Sequence, residues 1–113
     1  MSMWSRVKSL LGGHGPLRSI ASAATFYYPD DDNAIYISGT ATITSLNTGQ
    51  HMRVRKVMFI GAVGANVTFT NTNTPTTAGQ MFLQGSNIVM NEDDVVELIC
   101  KEDGTWILVN TTA

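Results

Sequence analysis

Two histidines, one cysteine and three short runs of charge are the residues of this 113-residue chain that could do chemistry. His14 sits in a glycine-rich stretch and His51 at the start of an extended segment. Neither has a cysteine or carboxylate at zinc-ligand spacing, so no metal site is expected. Asp30-Asp31-Asp32-Asn33 offers oxygens to a hard cation but lacks the spaced Asp, Gly and Glu of a calcium loop. It reads as an acidic, solvated turn, and Glu92-Asp93-Asp94 as charges guarding a strand entry. Cys100 alternates with Val96 and Leu98, which suits a buried, inert thiol better than a nucleophile. Arg53, Arg55 and Lys56 form the one basic cluster, and their alternating parity points them to different faces. Tyr27, Tyr28, Tyr36 and Trp106 could stack on sugars, although strand aromatics more often build core. No phosphate-cradling glycine motif or Ser-His-Asp spacing appears. The chain reads as non-enzymatic, with no cofactor.

Bulk composition narrows the classes further. The net charge is −2 and only 14% of residues are charged, so a phosphate-driven nucleic-acid role is not expected. One cysteine allows no internal disulfide. No apolar run is long enough to span a membrane. The first apolar run is broken by Arg6 and Lys8, unlike a signal peptide. Assembly in a cytoplasm is expected.

Three zones follow along the chain. In residues 1–12, Met3, Val7, Leu10 and Leu11 recur at three- and four-residue spacing beside Trp4, which predicts a short helix ended by Gly12-Gly13. So short a helix is marginal alone. Met3, Trp4, Val7, Leu10 and Leu11 are therefore expected to anchor on protein rather than lipid. Residues 13–24, rich in Gly, Ser and Ala, read as a linker; residues 1–24 together form an anchor and arm. Residues 25–113 read as a β-domain.

Within that domain, Val67 and Phe69 alternate inward against Asn66, Thr68 and Thr70. In 52–61, Met52 and Val54 share one parity while Val57 and Phe59 share the other. A β-bulge near Arg55-Lys56, or a strand buried on both faces, would explain this. Residues 72–79 predict a polar, exposed loop, and Gln84-Gly85-Ser86 a turn. Asp103-Gly104 predicts a hairpin. Its two strands are apolar on both faces, with Val96, Leu98 and Cys100 opposing Val95 and Ile99, and Trp106 and Leu108 opposing Ile107 and Val109. A sheet with one wet face alternates more strictly. A second sheet, the helix or a neighbouring subunit should cover the extra face. Val95, Ile99, Ile107 and Val109 are the expected oligomer interface. The expected fold is all-β, an antiparallel β-sandwich of jelly-roll type with a short N-terminal helix and extended arm.

A recurring set of turn and strand residues runs through 49–110. It comprises Gly49, the pair Phe59 and Gly61, and the Thr/Asn-rich stretch 66–74. Leu83, Gly85, Asn87 and Ile88 follow, then Asp94-Val95 and Gly104-Thr105-Trp106. This region resembles a β-module of tailed-bacteriophage virion proteins, found in tail-fibre, head-fibre and capsid-decoration proteins. The resemblance implies a non-enzymatic, homo-oligomeric virion protein, expected to be a trimer. The short length and apolar N-terminus favour a capsid decoration or cementing protein, or a head-fibre base. Its partner would be the major capsid protein or another virion protein. A carbohydrate-binding module of a tail fibre, or a tail or neck connector, is the alternative.

Overall fold

The computed structural model describes residues 17–48 and 54–113. The predicted helix over 1–12 lies outside the described residues, within which no helix occurs. Ten strands do: β1 Ser19–Ala21, β2 Thr25–Tyr28, β3 Ala34–Ser38, β4 Ser45–Thr48 and β5 Arg55–Gly61, then β6 Asn66–Phe69, β7 Met81–Phe82, β8 Ile88–Asn91, β9 Val95–Cys100 and β10 Trp106–Thr111. β1 falls within the stretch 13–24 that composition reads as linker.

The chain shuttles between two layers. The five odd-numbered strands and β10 enter one six-stranded sheet in the order β1-β3-β5-β9-β10-β7, while β2-β4 and β6-β8 form two ladders packed on its inner side. Returning to the same layer after each crossing makes β1-β3, β3-β5 and β2-β4 parallel, as is β7-β10. Antiparallel pairing is confined to β5-β9, β9-β10 and β6-β8. The expectation of an antiparallel jelly roll is thus corrected to a mixed sheet with two small ladders. The cause is at the turns: Pro29–Asn33 and Gly39–Thr42 send the chain across the core instead of back beside the strand it left. Gln84 and Gly85 do turn, both at positive φ, but they join β7 in the sheet to β8 in a ladder. The Asp103-Gly104 hairpin forms as expected, pairing Trp106 with Cys100.

The core lies between the layers. Phe59 of β5 meets Phe26 and Tyr28 of β2 and Phe69 of β6 edge-on, with centroids 5.6, 5.2 and 5.0 Å away. Such edge-to-face pairs add roughly 0.5–1.5 kcal/mol each beyond burial. Val67 and Phe69 are fully buried while Asn66 is exposed, as their alternation requires. The loop at 73–78 is largely exposed, and side chains tie it down. Asn71 Oδ1 accepts from the backbone N–H of Leu83, and Gln80 Oε1 from those of Thr76 and Thr77.

The β5 register with β9 runs without interruption from Arg55–Cys100 to Ile60–Val95, so no bulge occurs at Arg55-Lys56. Arg55 keeps the parity of Val57 and Phe59 and goes inward, only 8% exposed. Its guanidinium donates to the carbonyls of Pro29, at 2.7 Å, and Asp32, and its Cζ lies 5.1 Å from the Tyr28 ring centroid. Those partners offset the desolvation of the charge. The register shift of the sheet lies instead between Leu108 and Asn110 of β10, where Val109 has no partner across β9.

Candidate functional site at the outer face of the sheet

The two outer surfaces of the fold differ in chemistry. Outward positions of the ladders are Thr25 and Tyr27 beside Ser45 and Asn47, and Asn66 and Thr68 beside Asn91 and Val89. That surface is hydroxyl- and amide-rich, as a wet face should be. The outer face of the six-stranded sheet is not. Its cross-strand rows are Tyr36–Ile60–Val95, then Ala34–Met58–Glu97–Asn110, then Lys56–Ile99–Ile107–Phe82.

Ala34, Ile60 and Val95 form a second apolar cluster on this face, against which Leu17, Tyr36 and Met58 pack. Although they point away from the core, these three are only 3%, 5% and 7% exposed. Toward β10 the face opens: Ile99 is half-buried, Ile107 is 37% and Val109 45% exposed. Lys56 and Glu97 meet at 3.8 Å across the apolar rows. Shallow hollows flank both ends. One of 390 Å³ is lined by Tyr36, Val63 and Asp93, and one of 320 Å³ by Val54, Ile99 and Lys101.

The predicted oligomer residues are therefore placed unequally. Ile99 and Ile107 are cross-strand partners, Val109 stands beside them at the register shift, and Val95 sits within the chain's own second cluster. The predicted anchors Met3, Trp4, Val7, Leu10 and Leu11 lie outside the described residues, as do His14, His51 and Arg53.

The candidate chemical groups are dispersed or engaged. Cys100 is 3% exposed, and burial, reinforced by the Asp103 carboxylate, pushes its thiol pKa up. Tyr28 is buried with its hydroxyl donating to the Met58 carbonyl at 2.8 Å, and burial raises its pKa far above the ordinary phenol value. Trp106 is fully buried, Tyr36 half-buried on the outer face and Tyr27 70% exposed on the wet face. The four aromatics thus share no stacking platform. In the acidic turn Asp32 pairs with Arg18 at 3.1 Å. Glu92 Oε1 accepts from the Gly64 N–H and Asp94 Oδ2 from the Asn91 N–H, so the second acidic run caps turns. Among the described residues no group of three His, Cys, Asp or Glu side chains could hold a metal ion. Among the described residues no helix is long and apolar enough to cross a membrane.

Sequence reading missed the inward turn of Arg55. Its signal was present in the shared parity of Arg55, Val57 and Phe59, which charge alone seemed to forbid. Comparison with protein-family models, curated proteins and solved structures finds no match for this chain.

Proposed function

We propose that this chain is a non-enzymatic structural subunit of a tailed-phage particle, a capsid decoration or cementing protein or a head-fibre base. In this reading the β-domain, β1 included, self-associates as a trimer, and the part of the proposed arm that precedes Leu17 meets the major capsid protein or another virion protein. One observation carries the adhesive role: the outer face of the six-stranded sheet is apolar where the opposite surface is wet, and it opens at Ile99, Ile107 and Val109. Contiguous exposed apolar side chains rimmed by polar ones mark interaction surfaces. The particle assignment rests on the resemblance of residues 49–110.

Burial is the mechanism. Each aliphatic side chain taken fully out of water contributes about 1.5–3 kcal/mol, and a symmetric particle multiplies weak contacts by avidity. Light scattering on the purified chain tests the self-association. A trimer mass at micromolar concentration is expected. A monomer mass throughout the micromolar range would overturn it. Co-sedimentation with particles lacking the protein then tests the location, and failure to bind any such particle counts against the virion reading.

A further inference from the structure

We propose that the free edge of β8, beside the hollow it shares with β10, binds an extended, uncharged segment of another protein as an added strand. The register decides which backbone groups are open. In an antiparallel ladder, directly opposed residues exchange both hydrogen bonds or neither. Thr68 of β6 stands opposite Val89 of β8, yet its carbonyl accepts from the Ile43 N–H on the far side, at 2.8 Å. Thr68 and Val89 are therefore a non-bonded pair, and the N–H and carbonyl of Val89 point away from β6. Asn91, two residues on, faces the same way, and there the chain caps its own edge. Asn91 N–H donates to Asp94 Oδ2 at 2.8 Å, and the Asn91 carbonyl accepts from the Asp94 N–H at 3.1 Å. No such cap meets Val89: among the described residues β8 pairs with β6 alone.

The surroundings suit a strand. β7 pairs with Trp106 and Ile107 only, so among the described residues β10 has no strand on that side from Leu108 onward. Between the two edges lies a hollow of about 320 Å³, whose lining includes Leu83, Gln84, Asn87, Val89, Leu108 and Thr111. No charged side chain lines it. Natural sheets blunt exposed edges with charge, proline or a covering loop. Ile88–Asn91 carries neither charge nor proline. An added strand takes its affinity from main-chain bonds and its selectivity from alternate side chains. The residue opposite Val89 would point outward, and its two neighbours would enter the hollow over Leu83 and Leu108. Aliphatic side chains fit there, since a charge would be desolvated without a partner.

β8 belongs to the layer opposite the outer face, so this contact goes beyond the proposed function and neither needs self-association nor competes with it. Amide NMR on the isotope-labelled full chain tests it. The Val89 amide should exchange rapidly with solvent in the free chain, while that of Met90, turned toward Val67 of β6, should exchange slowly. A capped peptide of alternating valine and threonine, added to millimolar concentration, should shift the Asn87, Val89 and Leu108 signals and slow exchange at Val89. The fully N-methylated peptide, which has no donors, should do neither. Val89→Pro removes the outward donor where an edge strand tolerates proline, and should weaken binding several-fold. Slow exchange at Val89 in the free chain overturns the proposal. If exchange is slow only at high protein concentration, the edge belongs to a second copy and the proposal also fails. So it does if millimolar peptide shifts nothing, or if the N-methylated peptide shifts the same signals equally. If Val89→Pro does not fold, the N-methylated peptide still decides.

Discussion

The indole of Trp106 donates its Nε1–H to the carbonyl of Leu46 at 2.8 Å, joining the closing hairpin to the ladder of the opposite layer. Both residues are fully buried, and 60 positions separate them in the chain. Trp106→Phe should leave that carbonyl unpaired beside a small void. An unsatisfied buried acceptor costs about 1–3 kcal/mol, and the lost ring volume adds to it. Urea unfolding should show a lower midpoint with an unchanged slope.

Arg55 performs the same service for the turn after β2. Arg55→Met removes the charged donor shared by the Pro29 and Asp32 carbonyls, both part-buried, and should destabilise by about 1–3 kcal/mol. Lys56→Met, one residue on but exposed, should shift stability by no more than about 0.5 kcal/mol. Thermal unfolding of the two variants side by side checks the contrast.

Gly61 and Gly64 should respond differently to alanine. A Cβ on Gly61 would overlap the backbone carbonyl of Asn91, which cannot move without disturbing β8. Gly61→Ala should therefore cost at least about 1–3 kcal/mol as an overpacked site. At Gly64 the space is open, and only the φ of +75° opposes a side chain, so Gly64→Ala should cost about 1 kcal/mol. Circular dichroism melts separate the two.

Stability should fall on the alkaline side. Burial raises the pKa of both the Tyr28 phenol and the Cys100 thiol, so the folded state favours their protonated forms. That contribution is complete below the ordinary thiol and phenol values, near about 8.5 and 10, and is lost as pH rises through the folded ones. The urea midpoint should drop from pH 8 to pH 10.5. Tyr28→Phe and Cys100→Ala should each flatten that drop, whatever they do to stability at neutral pH.

Ile107→Asp and Val109→Asp should leave the fold intact, because both side chains are substantially exposed. If the β10 strip is a subunit contact, the pair should shift the light-scattering mass toward the monomer. An unchanged mass in a folded double variant would place the contact elsewhere.

Much of the local structure is legible in the residues alone. Alternation placed Val67 and Phe69 inward and put Val96, Leu98 and Cys100 opposite Val95 and Ile99. Asp103-Gly104 marked the hairpin, because glycine accepts the positive φ found at Gly104. The doubly apolar strands also flagged the outer face before its geometry was known.

Pairing was not legible. Pro29–Asn33 reads as a turn whether the chain folds back beside β2 or crosses the core, and only the opposing layer decides that it crosses. The parallel stacking of β1, β3 and β5 follows from that choice. Arg55 shows the same limit at a single residue. Its parity pointed inward from the start, but charge argued against burial until the Pro29 and Asp32 carbonyls and the Tyr28 ring were brought around it by a strand distant in sequence. Sequence by itself therefore determined most of the strands after the stretch 13–24, many of their turns and which side chains are apolar on each face, since these depend on backbone and solvation preferences of neighbouring residues. Tertiary structure alone decided which strands meet, which charge could be buried and which apolar face was left for something else to cover, since each depends on partners far away along the chain.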